Sequence, residues 1–300
     1  MNSYDDLFGQ GNEQPVPRYD RPFDKEAWKQ QKQEQREMVY SMIDDMAQTV
    51  ARDGAAFQKY LDVQSRFERY SVANAFLILA QKPEATRIAD FDTWKEQGAY
   101  IRKKETGFYI IEPGEEYQRE DGSTGISYNT KRMFDISQTG NSRRQETPAH
   151  PDERTRIKAL MDHAPVPIRI SGTLPSGVNA LYQPDQREIQ IRRGLDGNQI
   201  FRVLAQELAQ AEMDKGDGSY NRSEYGFRAY CVSYMLCKQY GVETAGYYHF
   251  EGVPQMLETL EPQEIRAELA VIKETAGEIS GRMNRMLTQL RQQKRQESER

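Results

Sequence analysis

Residues 206–210 read Gln-Glu-Leu-Ala-Gln, inside the stretch RVLAQELAQAEMDKG. With histidine in place of both glutamines this would be H-E-x-x-H. In that helix two imidazoles one turn apart hold zinc, and the glutamate between them acts as general base. Here both imidazoles are amides, and an amide oxygen competes poorly with water for zinc. The chain has three histidines, His150, His163 and His249, none of them on this segment. Glu207 is left without a metal-bound water to activate. Together with Glu212, Asp214 and Glu224 it could still hold a hard cation through oxygen ligands. The plain alternative is an ordinary amphipathic helix built on Ile200, Val203, Leu204, Leu208 and Ala211.

A second constellation is electrostatic. Arg102, Lys103, Lys104, Lys131 and Arg132 supply positive charge near two strand-like stretches, and Tyr70, Trp94, Tyr100, Tyr109 and Tyr128 supply rings. A cationic track for phosphates with aromatic faces for bases is what holds a single strand. Residues 61–140 nevertheless carry 11 basic and 13 acidic residues, a net charge of −2. Acids such as Glu115, Glu116, Glu120 and Asp121 must therefore lie away from any such groove, or binding is weak and salt-sensitive. Core packing is the alternative for the rings and is expected for Trp94 and Phe76. A solvated turn is the alternative for residues 102–104.

These side chains must be held by elements the periodicity outlines. Residues 1–24, rich in Pro, Gly and Gln, lack a period and read as a disordered tail. Met38, Met42, Ile43, Met46 and Val50 recur at helical spacing across residues 25–54. Phe57–Gln81 reads as one or two further helices, followed by a short one over Phe91–Gln97. Ile101–Pro113 has strand character, and Glu115–Thr139 reads as a hairpin with an Asp/Gly/Ser turn. Residues 25–140 thus form an α+β domain. Residues 141–153 are a polar linker. Residues 154–261 form a second domain: a helix, the strand VPIRIS, the alternating strand REIQIRR, helix Asn198–Lys215, and helix Ser223–Tyr240 closed by Gly241. Residues 262–300 read as a long helix with a basic tail, net about +4 over its last twenty residues.

The bulk numbers bound the function. A formal charge of −5 over 300 residues excludes a generally basic nucleic-acid coat but not a local groove. Mean hydropathy is −0.87, and the longest apolar run, Val72–Ala80, is too short to span a bilayer. With no signal peptide, and with Cys231 and Cys237 expected as reduced buried thiols, a cytoplasmic protein without membrane partners is expected. No P-loop or stand-out carboxylate cluster suggests helicase or nuclease chemistry.

Two stretches carry a resemblance. Tyr70-Ser71 with Asn74, Gln81-x-Pro83, Trp94, Gly98, Arg102-Lys103, Gly107 and Phe134-Asp135-Ile136-Ser137-Gln138-Thr139 stand in the order of the N-terminal single-stranded-DNA-binding domain of the ArdC antirestriction family. Lys104 stands where that family often has glycine. Tyr182-x-Pro184, the strand REIQIRR and the helix of Gln206-Glu207-Leu208-Ala209-Gln210 resemble the family's metallopeptidase-type, zincin-like domain, mainly helical with a small sheet. There a glutamate on the following helix is the third ligand. Here Arg228 and Tyr230 fall at the expected positions, and Glu224 is the acid left on that helix. The resemblance implies a degenerate peptidase domain with no metal, cofactor or catalytic residue. It implies single-stranded DNA as partner of Tyr70, Asn74, Arg102, Lys103, Lys104, Tyr109, Tyr128, Lys131, Arg132 and Gln138. The expected protein is a single-strand binder of a bacterial mobile element, associated with antirestriction or conjugation. The alternatives are a non-catalytic adaptor, gripping a protein partner through the peptidase-like cleft or the C-terminal helix, and a divergent metallopeptidase.

Overall fold

Asp24 starts the first helix, its carboxylate accepting from the N–H groups of Glu26 and Ala27. The computed structural model describes residues 24–118, 122–141 and 150–298. Nearly all of the tail expected to be disordered, and residues 142–149 of the linker, lie outside this range. Helix α1 (Lys25–Arg52) ends at Asp53, which at once caps α2 (Gly54–Arg66) by accepting from Ala55 and Ala56. Gly54 is required at this corner, because a Cβ there would lie 2.3 Å from the carbonyl oxygen of Phe250. Ser71 caps α3 (Val72–Gln81), whose apolar run is almost wholly buried.

The next stretch corrects the sequence reading. Ile101–Pro113 is not one strand. A short β1 (Ile88–Ala89) and α4 (Phe91–Glu96) come first; β2 (Tyr100–Ile101) then stops at a turn, and β3 runs over Phe108–Gln118. In the turn the N–H of Glu105 donates to Arg102 at 3.2 Å and Lys104 takes φ +72°. That left-handed backbone favours glycine, and lysine's propensity gives no hint of it. The hairpin partner β4 (Thr124–Asp135) pairs with β3 in antiparallel register, with a bulge between Pro113 and Glu116 where proline lacks its donor. Asp135 then caps a 3₁₀ turn (Ile136–Gln138) in a capping box with Gln138, ahead of β5 (Thr139–Gly140). The strand order is β1-β4-β3, with β2-β5 as a separate ribbon. Strand β3 is therefore an edge.

The second half follows its expected order with one strand more. After α5 (Glu153–Met161), a three-stranded sheet is built from β6 (Ile168–Ser171), β7 (Ala180–Gln183) and β8 (Glu188–Arg192). Strand β8 is central, parallel to β6 and antiparallel to β7. Ile189 and Ile191 are buried, as the period-two pattern requires. Then come α6 (Gly197–Met213), α7 (Arg222–Tyr240), the short α8 (Pro254–Leu257) and α9 (Pro262–Ser298). Gly241 closes α7 at φ +68°, as expected.

The fold is α+β. One continuous buried cluster joins both halves of the chain. Phe57 of α2 lies 5.6 Å from the rings of both Phe227 and Phe250, and the Tyr234 hydroxyl donates to Asp62 at 2.7 Å. Trp94 and Phe76 are core, as read from the sequence. Trp94 sits in a smaller cluster with Phe134, and its Nε1 donates to the Phe134 carbonyl at 2.9 Å. Cys231 and Cys237 are free and buried, and burial pushes the Cys237 thiol up to about 11. Among the described residues no helix is long and apolar enough to cross a membrane.

Candidate nucleic-acid interface and the amide-substituted helix

Glu207 points inward from α6 and is 4 % exposed. Its Oε2 accepts from the backbone N–H of Tyr182 on β7 at 2.7 Å. Arg222, at the start of α7, forks the same carboxylate: Nη1 reaches Oε2 at 2.9 Å and Nη2 reaches Oε1 at 2.7 Å. This bidentate pair is the strong form of a charged hydrogen bond, and it raises the Arg222 pKa further. One turn on, Gln210 is buried and its Oε1 accepts from the Tyr220 hydroxyl at 2.9 Å. Gln206 is half-buried, and Glu224 is exposed on the first turn of α7. Arg228 pairs with Glu268 of α9, while the Tyr230 hydroxyl accepts from the His249 N–H at 2.7 Å.

These side chains do not fit zinc. The glutamate is engaged by a guanidinium, and the flanking amides offer no imidazole. The oxygen-ligand alternative also fails. Glu212 is paired with Arg282, and Asp214 accepts from the Tyr182 hydroxyl at 2.6 Å. Among the described residues no group of three or more His, Cys, Asp or Glu side chains could hold a metal ion. Arg222 and Tyr220 went unread because the loop that brings them to α6 carries no periodic signal.

The residues expected to bind nucleic acid divide into two sets. Asn74 is structural. Its Nδ2 donates to the Ile111 carbonyl at 2.8 Å, and its Oδ1 accepts from the Ile111 N–H at 2.8 Å. Gln81 does the same to Tyr109, with both bonds at 2.9 Å. Two amides of α3 thus occupy the outward-facing backbone groups of edge strand β3, which would otherwise invite another strand. Gln138 is likewise buried, its amide donating to the Thr106 carbonyl and Glu105 and its oxygen accepting from the Asp135 N–H. Lys131 lies between Asp90 at 2.9 Å and Glu112 at 3.2 Å, and its ammonium lowers the Asp90 carboxyl to about 2. Tyr70 is partly buried against the core, and desolvation raises its pKa. These four are removed from the candidate interface because their polar groups or faces are already committed.

What remains is exposed except for Tyr109, whose ring, like that of Tyr70, is half-buried against the core but carries Arg132 on its open side. Tyr109 and Arg132 are paired across β3 and β4, with the guanidinium 5.2 Å from the ring centre and Nη2 donating to the hydroxyl at 2.5 Å. Tyr128 is exposed further along the same face. Gly107 brings the preceding turn against this pair, since a Cβ there would meet Arg132 Cγ at 2.6 Å. In that turn Lys103 and Lys104 are exposed and have no ion-pair partner among the described residues, while Arg102 is held by Glu105 at 2.9 Å. Glu115 lies within the bulge and Glu116 just past it, on the turn side of Pro113. Glu120 and Asp121 lie outside the described residues.

The N-terminal half is thus a helix-backed β-hairpin domain with a cation-and-aromatic face. Residues 27–157 match the family described as the N-terminal domain of anti-restriction factor ArdC. Two crystal structures of the antirestriction ArdC protein from the R388 plasmid are similar to it. The metal-free structure is 18% identical over 72% of this chain and 86% of that one, with a TM-score of 0.49. The Mn(II)-bound structure is 18% identical over 71% and 85%, with a TM-score of 0.48. No curated protein matches the chain.

Proposed function

We propose that the chain binds single-stranded DNA through its N-terminal half and serves a bacterial mobile element in antirestriction or conjugative transfer. The observation that carries this reading is the Tyr109–Arg132 pair, its guanidinium exposed and its ring half-buried, beside Lys103 and Lys104, which are exposed and have no ion-pair partner among the described residues. A ring with an adjoining guanidinium offers a base a stacking face and a phosphate a charge-assisted donor. The family match over residues 27–157 supports the same reading. The test is fluorescence anisotropy of a labelled single-stranded oligonucleotide across a salt titration, with duplex DNA and RNA of the same sequence as controls. Single-strand preference that weakens with salt, and is lost in Lys103→Ala/Lys104→Ala/Arg132→Ala, is the expected result. Equal affinity for duplex, or an unaltered triple variant, would refute it.

The second half, on this reading, is a peptidase-like domain that works without zinc, because Arg222 neutralises the glutamate that would otherwise activate water. Elemental mass spectrometry of purified protein tests this. Near-stoichiometric zinc would return the divergent-peptidase reading to first place.

A further inference from the structure

We infer that the N-terminal turns of α1 form the second wall of the strand-binding site, with Trp28 as a base-stacking platform and Lys32 and Arg36 as phosphate contacts. The inference rests on the single-strand reading above and adds to it a wall that the sequence reading did not include.

Three observations carry it. The first is shape. A groove of about 560 Å³ lies between Trp28, Lys32 and Met38 on α1 and Tyr109, Thr130 and Arg132 on the hairpin. A second, of about 620 Å³, continues past the same helix and is lined by Trp28, Lys32 and Arg36 together with Asn129 and Thr130. The hydrogen bond from Thr130 Oγ1 to Gln35 Oε1 at 3.1 Å fixes the spacing of helix and hairpin where the two grooves meet. Trp28 and Lys32 line both, so a strand passing from one groove to the other meets them.

The second observation is chemistry. Trp28 is 48% exposed, an unusual place for the largest apolar side chain. Lys32 Nζ lies 6.0 Å from its ring centre, repeating the Arg132–Tyr109 arrangement across the groove. Each wall thus pairs a ring with a cation, which is the composition of a single-strand groove. The third is charge. Lys32, Arg36 and Arg132 have no carboxylate partner among the described residues. Glu34 and Glu37 also line the grooves and accept from the amides of Gln30 and Gln33, but cations outnumber carboxylates in both, with Lys32 and Arg132 against Glu34 in the first and Lys29, Lys32 and Arg36 against Glu37 in the second. Trp28, Lys32 and Arg36 recur every four residues and share one helix face. A single strand is the fitting occupant because a stacking ring needs an unpaired base face, which a duplex keeps occupied by neighbouring bases.

The sequence supplies its own probe. The chain has two tryptophans, and Trp94 is buried with its Nε1 bonded. Intrinsic fluorescence that responds to ligand therefore reports on Trp28. Titrating the full chain with oligothymidylate should quench tryptophan emission, and duplex DNA should quench it far less. Trp28→Ala should weaken binding by roughly 5- to 150-fold in anisotropy, the range for loss of one base–aromatic stack. Trp28→Phe should keep most of the affinity and lose the quench. Lys32→Ala/Arg36→Ala should lower the salt slope by about 1.4, at about 0.7 per phosphate contact on a single strand. If the unaltered protein binds single strands and Trp28→Ala binds equally well, the second wall is wrong and the single-strand reading survives. If the unaltered protein does not bind, the single-strand reading itself fails and this inference with it.

Discussion

Removing the guanidinium from the Glu207 carboxylate is the sharpest test of the site's energetics. In Arg222→Ala the carboxylate keeps the Tyr182 N–H and loses both charge-assisted donors. Breaking a fully buried ion pair by deleting one partner costs about 3–5 kcal/mol, mostly because the other charge is left uncompensated. The Glu207 side chain is 6% exposed but that of Arg222 is 41% exposed, so water reaches the vacated side. The cost should therefore fall below that range, at about 2–3 kcal/mol. Glu207→Gln removes the charge and retains an oxygen for Tyr182, and should cost about 1 kcal/mol. The double variant should be more stable than Arg222→Ala alone, because no buried charge is left unpaired. Urea unfolding of the four proteins, read by circular dichroism, closes the cycle. An Arg222→Ala protein within about 0.5 kcal/mol of the parent would refute the reasoning, and so would strictly additive costs in the double variant.

The other predictions follow from the same geometry. Restoring the imidazoles in Gln206→His/Gln210→His should give no stoichiometric zinc in elemental mass spectrometry while Arg222 is present, since a guanidinium on Glu207 repels a dication; full occupancy would show that the fork yields to metal. Asn74→Ala should cost about 2–3 kcal/mol in urea unfolding, because a buried N–H and carbonyl of Ile111 lose their partners, and light scattering should rise as the β3 edge opens. Lys104→Gly should stabilise the fold by about 1 kcal/mol at φ +72°, checked by thermal unfolding, while weakening single-strand binding through the lost charge. A fragment ending at residue 141 should bind a dye for exposed apolar surface, because it strips Phe227, Tyr234 and Phe250 from Phe57 and Asp62.

Local signals in the chain reached as far as local physics does. The apolar period outlined α1, α2, α3, α6 and α7, the alternation in REIQIRR outlined β8, and a glycine past Tyr240 marked the end of α7. What stayed hidden depends on pairs that no period records. Asn74 and Gln81 sit seven residues apart, about 10 Å along a helix, yet engage Ile111 and Tyr109, two residues or about 7 Å apart on a strand. The longer glutamine absorbs the mismatch, and only the assembled fold reveals that both amides cover one edge. Lys131 reads as a free cation until Asp90 and Glu112 arrive beside it. Trp28 reads as one residue near a helix start until the hairpin lies opposite.

Glu207 shows why a residue that matches a motif is weak evidence of that motif's chemistry. In a zinc helix the glutamate needs a metal-bound water to act on. Here the same carboxylate joins three elements: α6 carries it, β7 donates the Tyr182 N–H, and α7 donates the Arg222 fork. Those contacts need a charged acceptor of this length at this position and need no metal. Around it the tyrosines close the space, with Tyr182 edge-on to Tyr220 at 5.6 Å and Tyr220 stacked on Tyr225 at 5.7 Å. Desolvation raises the pKa of both Tyr182 and Tyr220, so their hydroxyls stay protonated and act as donors, to Asp214 and Gln210. A site of this kind is held together by the groups that would have to leave before a metal or a peptide bond could enter.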